Sequence, residues 1–115
     1  FTILSGDDNL FLPMMSAGAV GVISVASNII PTEMQALFKT FMVEKDIFKA
    51  SDMNARLMPL FQSIFIETNP IPIKECLYFM GMIKEELRLP MCPASDTTKA
   101  ILRKVLEEYG LVNRR

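Results

Sequence analysis

Ser5-Gly6-Asp7-Asp8 sets a hydroxyl, a bare stretch of backbone and two carboxylates side by side near the front of the chain. Carboxylates ahead of an apolar stretch can accept from the free N–H groups of a helix start and oppose its dipole. They can equally stand at the mouth of a site and meet a polar substrate. A glycine here either makes a tight turn or lets a ligand approach the main chain. A metal site is not expected, because no Glu or His cluster supports the aspartate pair and adjacent carboxylates rarely chelate alone. The chain has no histidine at all. Cys76 and Cys92 lack metal-ligand spacing and read as a buried, reduced pair of a cytosolic protein. Lys74, at a helix start after Ile-Pro-Ile, reads as a solvated or ion-paired lysine rather than a nucleophile. The 9 methionines fall on helix faces at core spacing, which favours packing over an adaptable binding groove.

The elements that must hold the aspartate pair follow from the apolar pattern. Thr2-Ile3-Leu4 is a short apolar run of the kind that forms a buried parallel strand. A helix over about Asn9 to Ala17 follows, with Gly18 suited to its left-handed end. Val20 to Val25 is β-branched and reads as a second buried strand. Strand, helix and strand with short links make a βαβ unit with parallel strands. Two parallel strands leave edges unpaired and close no core, so this unit calls for further strands.

After Asn28 the apolar period changes to 3.6. Met34, Leu37, Phe38, Phe41 and Met42 share one helix face. Either Pro31 takes its first position or Thr32 and Gln35 form a capping box. A helix from about Asp46 carries Ala50, Met53, Leu57, Phe61, Ile64 and Phe65, with Pro59 expected to kink or divide it. Asn69-Pro70-Ile71-Pro72 is expected to be extended, leading into a helix over Ile73 to Met80 that Gly81 ends. Leu89 to Pro93 is an extended connector. Ser95 caps a last helix with Ile101, Leu102, Val105, Leu106 and Tyr109 on one face, stopped by Gly110. The organisation is thus α/β over residues 1–30 and helical over 31–115.

Charge excludes some functions. With 12 basic and 13 acidic residues the net charge is −1, which attracts neither nucleic acid nor anionic lipid. Arg114 and Arg115 are too few to make a basic tail. No charge occurs from Asn9 to Thr32, long enough to span a bilayer, but Pro13, Gly18 and Gly21 interrupt it. Helix, turn and buried strand is the better reading, with no membrane partner.

Five segments in order carry a resemblance: Phe1 to Asp8, Gly21 to Asn28, Arg56-Leu57-Met58-Pro59-Leu60, Asn69 to Lys74, and Leu87-Arg88-Leu89-Pro90. The chain resembles the C-terminal portion of the dihydrodipicolinate synthase group in the N-acetylneuraminate lyase family. The resemblance implies the last βαβ unit of a (β/α)8 TIM barrel over residues 1–30. Residues 31–115 would be the last barrel helix and a C-terminal helical domain, so that the chain itself is mostly α. It implies lysine and diaminopimelate biosynthesis, in which a lysine amine forms a Schiff base with pyruvate and the enamine attacks aspartate semialdehyde. No metal or organic cofactor is needed.

That lysine, the proton-relaying tyrosines and the feedback site for lysine belong to an N-terminal barrel half, the expected partner of a chain that opens with Phe1. This chain, expected to be inactive alone, would supply pocket wall at the C-terminal strand ends. Gly6 and Ile23 would line the pyruvate pocket, against the plainer readings of a tight turn and barrel-core packing. Ser5, Asp7 and Asp8 would stand at the barrel mouth, against the plainer reading of helix capping for the aspartates. A cytoplasmic homo-oligomer, a tetramer built from dimers, is implied. The alternatives are a free helical module acting by association alone, or another pyruvate-dependent lyase such as N-acetylneuraminate lyase.

Overall fold

The structure is a computed structural model and describes residues 1–113, so Arg114 and Arg115 lie outside the described residues. The chain packs as two compact units, Phe1–Phe61 and the chain from Gln62 onward. This division of packing is distinct from the change of element type at residues 30 and 31.

In the first unit, two extended segments run parallel and meet in a single bridge between Ser5 and Val22. The N–H of Val20 donates to Ile3 O at 2.9 Å, that of Ser5 to Gly21 O at 2.8 Å, and that of Ile23 to Ser5 O at 2.9 Å. The parallel direction is as expected, but the two buried strands are not. No strand is formed among the described residues. Ile3 is 53% exposed and Ile23 68% exposed, with Leu4 and Val20 also open. The physical reason is that each segment has only the other beside it. The outer edge of each segment stays unpaired, and Ile3, Leu4, Val20 and Ile23 stay uncovered.

The connection between the segments starts as a 3-10 turn, Asp8–Leu10, and becomes α1, Phe11–Ser16. Asp7 occupies the cap position, yet its side chain makes no capping bond. Gly18 has a φ of +107°, a conformation that L side chains rarely adopt. Phe11 is buried and its ring stacks on that of Phe38, with centroids 6.5 Å apart. A second 3-10 turn, Ala26–Asn28, leads to α2, Pro31–Met42. Pro31 takes the first turn, where its missing N–H costs nothing. No side-chain cap bond is present, so the Thr32–Gln35 box does not form.

Helix α3, Ile47–Ser63, starts where Asp46 Oδ1 accepts from the N–H of Lys49 at 3.0 Å. It runs through Pro59 as one helix rather than two. Pro59 lies on the exposed side, where the carbonyl it leaves without a donor can meet water. Leu37, Ala50 and Phe61 are fully buried at the 3.6 period that marked them, and Leu60, which that period did not mark, is fully buried beside them in sequence.

The second unit is built on α4, Ile71–Phe79, packed against α5, Asp96–Glu108. Helix α4 begins two residues earlier than expected, at Ile71, because Pro72 fits the first turn as well as an extended approach. The Asn69–Pro70 and Leu89–Pro90 peptides are cis. The connector expected to be extended makes a turn instead, with the N–H of Met91 donating to Arg88 O at 3.1 Å. Ser95 caps α5 as expected, accepting from the N–H of Thr98 at 3.3 Å. Ser95 in turn donates through its N–H and Oγ to Glu67 at 3.1 and 2.8 Å. Hydrogen bonding with Thr98 and then Ser95 holds the Glu67 carboxyl below its ordinary value. Leu102 and Leu106 are buried, but Ile101 is exposed. Gly81 and Gly110 have positive φ just past α4 and α5, where helices commonly end.

Both cysteines are free, but only Cys76 is buried; Cys92 lies on the surface in the connector. Of the methionines, Met15 and Met34 are buried while Met82 is exposed, so helix spacing overstated their part in the core. No described helix is long and apolar enough to cross a membrane.

Candidate functional site

The bridge at Ser5 and Val22 brings the ends of both extended segments together. Just past it, the chain is tied a second time. Asp8 is completely buried, and its carboxylate reaches across to the loop after the second segment. Oδ2 accepts from the N–H groups of Val25 at 3.0 Å and Ala26 at 2.9 Å. Oδ1 accepts from Ser24 Oγ at 2.5 Å. Ser24 and Ser27 close the turn on themselves: the N–H of Ser27 donates to Ser24 Oγ at 2.8 Å, and Ser27 Oγ donates to Ser24 O at 3.0 Å. Asp8 therefore satisfies the start of the Ala26–Asn28 turn from a distant part of the chain, where its negative charge also suits the local N–H groups.

Ser5 is also completely buried. Its Oγ donates to Asp7 O at 2.8 Å and accepts from the N–H of Asp7 at 3.3 Å. That hydroxyl shapes its own turn. Between the bridge and the Asp8 tie, three residues are left open to solvent: Gly6, Asp7 and Ile23. A Cβ at Gly6 would meet nothing within 4 Å, and the residue does not have positive φ. Neither crowding nor backbone strain within the described residues explains a glycine there. Ile23 places an apolar side chain, 68% exposed, beside this bare backbone.

Of the five residues singled out from the sequence, Gly6, Asp7 and Ile23 are exposed, while Ser5 and Asp8 are buried with their polar atoms engaged. Sequence reasoning missed Ser24 as the partner of Asp8. The available signal was Ser24 and Ser27 at capping spacing ahead of a helical turn, but nothing local links them to a carboxylate 16 residues away. Among the described residues no cluster of His, Cys, Asp or Glu is placed to hold a metal ion. Lys74 donates through Nζ to the backbone carbonyl of Glu86 in the second unit. It is a tethered lysine, remote in sequence from those five residues.

Solved structures with this architecture are TIM-barrel dihydrodipicolinate synthases, which the chain matches as the C-terminal part of a (β/α)8 barrel: its last βαβ unit and the helical appendage after it. The dihydrodipicolinate synthase from Aquifex aeolicus superposes with a TM-score of 0.93 at 44% identity, covering 99% of this chain and 39% of that one. The dihydrodipicolinate synthase from Thermotoga maritima gives 0.94 at 43% identity, covering 97% of this chain and 38% of that one. The 4-hydroxy-tetrahydrodipicolinate synthase of Hydrogenobaculum sp. (strain Y04AAS1) is 48% identical over 112 residues, which is 97% of this chain and 38% of the relative. That of Endomicrobium trichonymphae is 49% identical over 111 residues, again 38% of the relative. With residues 1–109 matching the dihydrodipicolinate synthetase family, the chain belongs to that family. It spans about 38% of the length of the curated relatives it matches.

Proposed function

We propose that this chain is the C-terminal part of a synthase that condenses pyruvate with aspartate semialdehyde in lysine and diaminopimelate biosynthesis. In that reaction a lysine amine adds to the pyruvate ketone and water leaves, giving a Schiff base. Loss of a methyl proton gives the enamine, whose carbon forms the new bond to the aldehyde carbon. The lysine comes from outside residues 1–115, in the barrel half that precedes this chain. Residues 1–30 complete the barrel, and residues 31–115 form its last helix and the helical domain. Gly6 and Ile23 wall the pyruvate pocket, and Asp7 faces the second substrate at the barrel mouth, with Ser5 and Asp8 beneath them. The whole protein works as a homo-oligomer in the cytoplasm, and this chain alone is inactive.

The observation that carries this reading is that Gly6, Asp7 and Ile23 are each exposed between two ties at the end of a parallel pair. Barrel enzymes place their chemistry at such strand ends. The open space over Gly6 suits a small planar keto acid brought close to the main chain.

Borohydride reduction of the full-length protein with pyruvate, followed by peptide mass mapping, tests the reading. The expected result is one reduced adduct on a lysine outside residues 1–115. An adduct on Lys74 or any other lysine of this chain, or none at all, would overturn it.

A further inference from the structure

We propose that Asp8 is a positioning residue of the pyruvate pocket, acting through the Ser24–Ala26 loop to hold Ile23 opposite Gly6. The proposal rests on the functional reading above and adds to it a role for a side chain that touches no substrate.

The argument is geometric. Ile23 is held on one side by the main chain, its N–H donating to Ser5 O at 2.9 Å. Its other neighbour, Ser24, is held by Asp8 Oδ1 at 2.5 Å. The next two N–H groups, of Val25 and Ala26, are held by Oδ2 of the same carboxylate. Ile23 thus sits between two anchors on the segment carrying Gly6, although the segments share only one bridge. A single bridge leaves the end of a pair free to splay. The carboxylate supplies the missing cross-link at the point where regular pairing stops. Its burial matters, because a hydrogen-bonded charge shielded from water holds its donors more firmly than an exposed one. Removing it would let Ile23 drift from Gly6 while leaving both residues in place.

Steady-state kinetics of the full-length protein with Asp8→Ala, Asp8→Asn and Ser24→Ala tests this, alongside borohydride trapping of each. The amount of trappable lysine reports the folded, competent fraction, to which kcat is normalised. Asp8→Ala should raise KM for pyruvate about tenfold with a smaller change in normalised kcat, since misplacement of a binding group by about 1 Å is costly. Asp8→Asn can still accept from both N–H groups through its amide oxygen, so the loop stays tied and KM should stay within about threefold of wild type, the size of an ordinary neutral hydrogen bond. Ser24→Ala should fall between them and serves if Asp8→Ala does not fold. Loss of trappable protein with unchanged KM in the variants that fold would overturn the proposal, leaving Asp8 a purely structural residue. An untrapped, inactive wild type would instead overturn the functional reading beneath it.

Discussion

Asp8 in the first unit and Glu75 in the second are both buried carboxylates, with 0% and 4% of their surface exposed. Asp8 accepts three hydrogen bonds from one loop. Glu75 Oε1 has no hydrogen-bond partner among the described residues. Its nearest cation, Lys99 Nζ, stands 3.9 Å away and donates to Glu85 instead. That bond with Glu85 holds the Lys99 amine above its ordinary value. Burial pushes the Glu75 carboxyl up; Lys99 opposes this and Glu85 adds to it. The difference teaches that burial alone says little about what a carboxylate does. Where donors surround it, it fixes the loops that supply them. Where they do not, it gives up part of its acidity and weakens the fold around it.

The largest expected effect tests how closed the Glu75 environment is. Its sequence neighbour Cys76 is buried, and burial, then the Glu75 charge, push its thiol up to about 12. Cys92 is exposed. At about pH 8 an alkylating reagent should label Cys92 at least about a hundredfold faster than Cys76, because only the thiolate reacts. Equal rates in a peptide-resolved time course would mean that water reaches the core of the second unit, and the contrast with Asp8 would fail.

Next in size is the loss of the Asp8 carboxylate. Asp8→Ala leaves the part-buried N–H of Val25 and the buried N–H of Ala26 without an acceptor and should destabilise the protein by about 3 kcal/mol, by the usual cost of such groups. Chemical denaturation measures it. A loss under about 1 kcal/mol would mean that water replaces the carboxylate and that the tie is weak.

The smallest effect is a slope. Because the folded-state pKa of Glu75 is raised above its ordinary value of 4.5, the folded protein holds that proton more tightly than the unfolded chain. The associated stability is present below 4.5 and is lost as pH rises through the folded pKa. Glu75→Gln removes this loss, so its stability relative to wild type should improve from acid towards neutral pH. A difference independent of pH across denaturation curves would place Glu75 on the same footing as a satisfied carboxylate.

The two units also differ in how far they were legible. In the second, Ser95, Gly81, Gly110 and the spacing of Leu102 and Leu106 marked the helices, because a cap or an apolar stripe is read within one or two turns of chain. The same held for Pro31 and for Leu37, Ala50 and Phe61 in the first unit. Legibility failed where the partner was far away. Thr2-Ile3-Leu4 and Val20 to Val25 read as buried strands, yet covering a strand needs neighbours that a local pattern cannot count. Cys92 and Ile101 are apolar by type and exposed by position. Pro59 was a break signal overridden by a long helix whose exposed side tolerates a missing N–H. Of the candidate site, the types and order of Ser5, Gly6, Asp7, Asp8 and Ile23 were visible. Which of them face solvent was not.

By itself the sequence determined where most of the helices lie, the Ser95 cap and the buried positions Leu37, Ala50, Phe61, Leu102 and Leu106, along with the parallel sense of the first two segments, since these arise from short-range backbone chemistry and periodic burial. Only the tertiary structure decided that Asp8 turns away from solvent to hold Ser24, Val25 and Ala26, while Gly6, Asp7 and Ile23 stay exposed. A carboxylate takes whichever donors the fold brings to it, and those donors lie 16 to 18 residues along the chain, beyond the reach of any local pattern.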